Sequence, residues 1–250
     1  IGLMADEMGV SGWYAPAMNM HRNAFSGRNF EYYSEDGLLS GEIAAQAMAG
    51  AWEHGVYAYI KHLALNEMET NRWGMLCTWL PEQALREIYL KPFEICVKYA
   101  NETGTLTAVM TSYNYVGNQW AGACAPLLNT VLRDEWGYQG FCLTDYFANF
   151  YYMDATRSIY NGGDTCLINT DQTTNYVTDR SATTVSHMRD AAHHILYVTG
   201  NSRAHAPENI ETGMEGWKKI LIAVDIIILL ILIGLEVLAF RGYQKRKKAA

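Results

Sequence analysis

The chain has 250 residues, of which 50% are apolar and only 18% are charged. This composition supports a sizeable core and excludes wholesale disorder. The net charge of −7 argues against nucleic acid as a partner. The low charged fraction is typical of a chain that contains a membrane segment.

Strands and helices are expected to alternate along residues 1–200. The apolar, β-branched and aromatic runs predict strands at 12–20, 56–65, 105–113, 140–146 and 165–169. Helix-forming segments lie between them, at 38–53, 80–102, 125–136 and 182–199. Such alternation indicates βα units with a parallel sheet that is covered on both faces.

The fold class we predict is α/β, with a partial (β/α)8 TIM-type barrel followed by one C-terminal transmembrane helix. The chain lacks the G-x-G-x-x-G pattern of a dinucleotide-binding sheet and also lacks a P-loop. Only four or five strands are visible, whereas a closed barrel needs eight. We therefore expect a fragment whose missing strands precede Ile1, since the sequence opens within a helical pattern.

Polar residues follow several of the predicted strands at the end where barrel active sites form. They are Arg28, Lys61, His62, Tyr113 and Asp145. Taken singly, each has a structural explanation: a salt bridge, a buried histidine, or a carboxylate that accepts backbone N–H groups. Their shared position at one barrel mouth instead favours a binding or catalytic site.

The five cysteines are odd in number, contain no C-x-x-C pair, and mostly lie in apolar surroundings. They predict buried free thiols rather than a disulfide framework. The sequence shows no dedicated metal-site spacing, so we expect neither a metal nor a cofactor.

The C-terminal segment reads as a membrane anchor. Residues 220–240 form an apolar run about 31 Å long as a helix, interrupted only by Asp225 and Glu236. Five basic residues follow it and two precede it, which predicts a cytoplasmic C-terminus and an extracellular barrel. The expected organisation is a barrel at 1–200, a linker at 201–217, a transmembrane helix at 218–241 and a basic cytoplasmic tail at 242–250. This makes the chain a single-pass protein of the cell membrane; the alternative is a buried helix of a soluble protein.

Five motifs occur in one order along the barrel region. They are GRNFEYYSED (27–36), KHLALNEMETNR (61–72), ALREIYLKPFE (84–94), VMTSYN (109–114) and LLNTVLRDEWGYQGFCLTDY (127–146). Together they resemble glycoside hydrolase family 3, the β-glucosidase family, over roughly residues 10–200.

The resemblance implies a retaining β-glucosidase that acts on a β-linked oligosaccharide or glucoside. Asp145 would be the nucleophile, and Arg28, Lys61 and His62 would bind sugar hydroxyls. Tyr113 would lie beside the nucleophile. An acid/base glutamate is expected outside this segment, on an α/β sandwich domain that would precede the barrel. An Asp that binds the terminal sugar is likewise expected before the first residue.

Some motifs depart from the family pattern. The usual S-D-W is T-D-Y here, which places Tyr146 where a Trp is expected, and the usual N-N-Q-E is N-E-M-E (66–69). The K-H-L-A-L-N-E run disfavours the N-acetylglucosaminidase branch. We interpret Glu67 and Glu69 as loop ion-pair partners of Arg72. Two alternatives to an enzyme stay open: a membrane-anchored carbohydrate-binding barrel, and an incomplete barrel without activity.

Overall fold

The computed structural model describes residues 1–147, 152–168, 176–205 and 216–249, without the side chains of residues 245, 248 and 249. The chain divides into two compact units, Ile1–Ala206 and Pro207–Ala250. The first unit holds all the described strands, and the second consists of one long helix in its described part.

The strands are short. They are β1 (Gly12–Trp13), β2 (Tyr57–Leu63), β3 (Cys77–Thr78), β4 (Thr107–Thr111), β5 (Tyr115–Val116), β6 (Gln119–Trp120), β7 (Cys142–Tyr146) and β8 (Thr165–Leu167). The α-helices are α1 (Gly2–Glu7), α2 (Gly37–Trp52), α3 (Glu82–Ala84), α4 (Lys91–Thr103), α5 (Ala155–Tyr160), α6 (Ala182–Asn201) and α7 (Gly216–Ala249). Two π-helical segments, Leu85–Tyr89 and Pro126–Glu135, and three short 3₁₀ turns complete the described elements.

Five strands form a parallel sheet in the order β1-β2-β4-β7-β8. The sheet curls into a half-barrel, which agrees with the predicted α/β class and partial barrel. A second sheet of three short strands, in the order β3-β5-β6, was not predicted. It lies in the connections after β2 and β4, so it extends the carboxyl-end loops of the main sheet.

Both faces of the main sheet are buried along its three central strands, β2, β4 and β7. Ala58 and Ile60 of β2 belong to the core cluster that α2 and α4 cover. Tyr57 and Tyr59 alternate with them and pack with Phe141 on the opposite face. Successive strand residues point to opposite faces, so a sheet covered on both sides requires the continuous apolar runs seen in the sequence.

Two sequence predictions were wrong in extent. The strand expected at 12–20 is only β1, because Pro16 has no N–H to donate; pairing with β2 resumes at Ala17. The helix expected at 80–102 is broken at Leu90, and α4 then begins with Pro92 in its first turn, where no N–H is needed. Asn169, expected in the last strand, lies outside the described residues.

All five cysteines are free thiols, as predicted. Cys96, Cys124 and Cys142 are buried, and Cys166 is partly buried. Cys77 is exposed, so the prediction of burial was wrong there. It lies in the short second sheet that the sequence did not indicate.

The described part of the second unit is one continuous helix of 34 residues, α7. It contains the segment 218–241 and most of the tail 242–250, whose last residue lies outside the described part, as do residues 206–215 of the expected linker. Among the described residues, one helix is long and apolar enough to cross a membrane, by length and composition alone. The large apolar side chains of this helix are exposed.

Candidate active site

The fold brings the five predicted site residues to one edge of the half-barrel. Lys61 and His62 lie near the end of β2, Tyr113 follows β4, and Asp145 is the penultimate residue of β7. Arg28 belongs to the long connection between β1 and α2. These three strands are adjacent and parallel, so their carboxyl ends meet at the same edge.

Asp145 lies at the centre of this cluster with only 9% of its surface exposed. Its Oδ1 accepts the N–H of Tyr146 at 2.7 Å. Its Oδ2 accepts no hydrogen bond from the described residues, although His62 Nε2 and Arg72 Nη1 each lie 3.8 Å away. Oδ1 is thus held by a hydrogen bond, whereas Oδ2 is buried and accepts no hydrogen bond from the described residues.

Burial raises the pKa of Asp145 above its ordinary value. The Tyr146 N–H and the cations Arg72, Arg28 and Lys61 act in the opposite direction and favour the charged form. The positive groups therefore offset part of the cost of keeping this carboxylate away from water, and the net effect is a raised pKa.

His62 is fully buried, and burial followed by the nearby cations holds its pKa well below the usual value. The ring is therefore neutral near pH 7. Its 3.8 Å approach to Asp145 is a contact between a neutral imidazole and a carboxyl group rather than an ion pair. Its burial agrees with the structural explanation of this histidine, and the residue also faces the candidate nucleophile.

Arg28 and Lys61 meet on the carboxylate of Glu31. Arg28 Nε donates to Glu31 Oε1, and Lys61 Nζ lies 3.7 Å from Glu31 Oε2. Arg28 Nη1 also lies 3.6 Å from Glu69 Oε1. Burial lowers the pKa of Lys61, and Glu31 counteracts this effect. The two cations are held in place by acids while their charges act on Asp145.

Tyr113 holds the end of β7. Its hydroxyl donates to the carbonyl oxygen of Tyr146 at 2.6 Å, and its ring lies under the Arg72 guanidinium at 4.5 Å. Burial and the charge of Asp145 both raise the pKa of this hydroxyl, so it remains a donor. Tyr113 therefore links the carboxyl ends of β4 and β7.

Sequence reasoning missed the contact between Arg72 and Asp145. Arg72 Nε pairs with Glu69 at 2.8 Å, as predicted, but its Nη1 reaches the candidate nucleophile. The prediction was wrong for Glu67, whose carboxylate binds Asn19 and Met20 instead. A signal was present, because Arg72 ends the same motif that contains Lys61 and His62.

A parallel half-barrel with a carboxylate and cations at the carboxyl ends of its strands has the architecture of a (β/α) barrel enzyme. The model of the family described as "Glycosyl hydrolase family 3 N terminal domain" matches residues 2–198. The chain therefore belongs to glycosyl hydrolase family 3.

Individual relatives agree with this assignment. The chain is 44% identical to a β-glucosidase of Ruminococcus albus and 48% identical to β-glucosidase B of Emericella nidulans, over 54% and 53% of its length. It superposes on β-glucosidase 3B of Thermotoga neapolitana, solved in complex with glucose, with a TM-score of 0.69 at 36% identity over 81% of this chain. The matched regions span 14%, 15% and 29% of these three proteins, respectively.

Proposed function

We propose that this chain carries the nucleophile and sugar-binding part of a β-glucosidase that hydrolyses terminal β-glucosidic bonds with retention. The proposal rests above all on the carboxylate of Asp145. Its Oδ2 is buried, accepts no hydrogen bond from the described residues, and is surrounded by cations. Membership of glycosyl hydrolase family 3 and the β-glucosidase relatives support the same reaction class.

In the first step, Oδ2 of Asp145 attacks the anomeric carbon of the glucoside. The bond from that carbon to the leaving oxygen breaks, and the leaving oxygen takes a proton from a general acid. An ester between Asp145 and the sugar results. The hydrogen bond from Tyr146 to Oδ1 orients the carboxylate so that Oδ2 is the attacking atom.

In the second step, water attacks the anomeric carbon and the ester bond breaks, returning its electron pair to Asp145. The water proton passes to the conjugate base of the general acid, and the sugar leaves with its original β configuration. We place that acid on a glutamate outside residues 1–250. The geometry of retention requires its carboxyl group about 5–5.5 Å from that of Asp145.

The cations around Asp145 have two roles in this proposal. Arg28, Lys61 and Arg72 favour the ionised carboxylate before the attack. Arg28 and Lys61 also present N–H donors that can bind hydroxyl groups of the sugar. His62, which lies 3.8 Å from Asp145, and Tyr113, which binds the carbonyl oxygen of Tyr146, would complete the wall of the sugar site.

We also propose that α7 anchors this domain in the cell membrane as a single pass. The apolar run of α7 and the basic residues that follow it support this placement. The barrel would then face outward and the C-terminus would lie in the cytoplasm. Such an enzyme would act on glucosides that are close to the cell surface.

The test follows hydrolysis of 4-nitrophenyl β-glucoside by the full-length protein with NMR spectra, which distinguish the two anomers of the released glucose. We expect the β anomer of glucose to form first and to mutarotate afterwards. Asp145→Asn should release no glucose above background. First formation of the α anomer would contradict retention. Glucose binding by a folded protein that releases no product would support the alternative of a carbohydrate-binding barrel.

A further inference from the structure

Glu67 is a buried carboxyl group that the reaction above does not use. It is 9% exposed, and its Oε1 accepts the Met20 N–H at 3.1 Å and the Asn19 Nδ2 at 3.4 Å. The usual family motif has Asn at this position, so the carboxylate is one of the departures in this chain. The contact to Asn19 connects it to the site.

The amide of Asn19 has a single consistent orientation. Its Oδ1 accepts the backbone N–H of His62 at 2.9 Å, and its Nδ2 donates to the carbonyl oxygen of His62 at 3.0 Å. Exchanging the two atoms would place a donor against a donor and an acceptor against an acceptor. Glu67 adds a second acceptor for Nδ2 and reinforces the same orientation.

This orientation determines the state of the His62 ring. Asn19 Oδ1 lies 3.3 Å from His62 Nδ1, and a carbonyl oxygen can only accept a hydrogen bond. The ring is neutral, so its one N–H is on Nδ1 and its Nε2 carries a lone pair. Nε2 is the atom that faces Asp145, at 3.8 Å.

We propose that Glu67 is a positioning residue that holds the Asn19 amide, keeps the His62 proton on Nδ1, and so makes His62 Nε2 a hydrogen-bond acceptor beside Asp145. The group that Nε2 accepts from is a hydroxyl of the bound sugar, and this part rests on the proposed function. Without the acceptor on Glu67, the Asn19 amide is held only by its two bonds to the His62 backbone. Its hold on Nδ1 is then weaker, and part of the population can move the ring proton to Nε2.

The first experiment does not depend on activity. Two-bond ¹H–¹⁵N spectra of the ¹⁵N-histidine-labelled full-length protein report which ring nitrogen is protonated, and His62→Asn assigns the signals. We expect the Nδ1–H form in the parent and in Glu67→Gln, which keeps an acceptor oxygen. We expect a mixture of the two forms in Glu67→Leu.

Kinetics on the same variants test the link to the sugar. Glu67→Leu should lower kcat/KM for a β-glucoside about tenfold, as expected for the loss of one hydrogen bond to the neutral His62 ring, while Glu67→Gln should stay near the parent. Arg133→Met, which breaks a buried ion pair with Asp164 at the amino ends of β7 and β8, controls for general destabilisation.

Two results would overturn the proposal. An Nε2–H form in the parent would do so without any variant, even where Glu67→Leu fails to fold. Folded Glu67→Leu with an unchanged Nδ1–H signal would show that Glu67 does not hold the ring. An inactive parent with the expected spectra would count against the proposed function alone.

Discussion

The neutral ring of His62 faces the carboxyl group of Asp145 across 3.8 Å, with Nε2 of the ring nearest to Oδ2. The pKa of the ring is well below its usual value, so it gives Asp145 no positive charge. Arg72, Arg28 and Lys61 supply that charge instead. The cations therefore favour the ionised form of the Asp145 carboxyl group. His62 contributes a lone pair on Nε2 that can accept a hydrogen bond.

Replacing Arg72 should therefore raise the pKa of Asp145 further. Arg72→Met removes a cation whose Nη1 lies 3.8 Å from the carboxylate. A protonated carboxyl cannot attack, so the acidic limb of the glycosylation rate should move to higher pH, by about one unit. The measurement is the pH profile of kcat/KM with a dinitrophenyl β-glucoside, whose leaving group needs no acid.

Arg86→Met is the matched control for this change. Arg86 is also an arginine with two carboxylate partners, Glu82 and Glu135, but it lies on an exposed helical surface. Its pH profile should coincide with that of the parent. An acidic limb that stays in place in Arg72→Met would show that Arg72 does not affect the ionisation of Asp145.

Glu67 should make the protein less stable as pH rises. Burial raises its pKa to about 7, and the bonds from Met20 and Asn19 and the charge of Arg22 only partly offset this effect. The folded state thus holds a proton that the unfolded state releases near pH 4.5. Stability from this group is full below that pH and falls by at most about 3 kcal/mol as pH rises through 7.

The test compares urea unfolding of the parent and Glu67→Gln from pH 4 to pH 8. Glutamine does not titrate, so the stability of the variant relative to the parent should increase across this window and then level off. A difference that is the same at every pH would mean that Glu67 ionises normally in the folded protein.

A second buried network, around Asp164 at the amino ends of β7 and β8, should contribute strongly to the free energy of unfolding. Asp164 accepts from Arg133 Nη2 and from the Cys142 N–H, both at 2.6 Å, and lies 2.8 Å from His194 Nδ1. Arg133→Met leaves this carboxylate buried without its main cation, which should cost about 3–5 kcal/mol of unfolding free energy. Urea unfolding should show Arg86→Met nearly unchanged, and equal losses in the two variants would contradict the role of burial.

Deletion of residues 217–250 tests the proposed anchor. The parent should stay with membranes after alkaline carbonate extraction, because its apolar helix is held by lipid, and the truncated chain should be released. An epitope placed after residue 250 should be protected from protease in intact cells and cleaved once the membrane is opened. Cleavage of the epitope in intact cells would show that the C-terminus lies outside the cell, opposite to the proposed orientation. Release of the parent by carbonate would show that α7 does not span the membrane.

The sequence was most informative where a pattern is local. The alternating elements predicted the parallel sheet, and the polar residues at the carboxyl ends of β2, β4 and β7 predicted which side chains it brings together. The partners of individual side chains were harder to predict from the sequence, because they depend on how the loops fold over the strands. Glu67 and Glu69 are two residues apart, yet one binds Asn19 and the other binds Arg72. The break at Leu90 was missed although Pro92, which suits a first helical turn, is a signal for the start of a new helix.

Asp145 is proposed as the nucleophile, and a trapped glycosyl-enzyme intermediate tests that claim. The full-length protein is treated with a 2-deoxy-2-fluoro-β-glucoside that carries a dinitrophenyl leaving group, and its intact mass is recorded. We predict one added sugar, on the peptide that contains Asp145, and none in Asp145→Asn. A folded parent that gains no sugar, or an adduct that persists in Asp145→Asn, would contradict the claim.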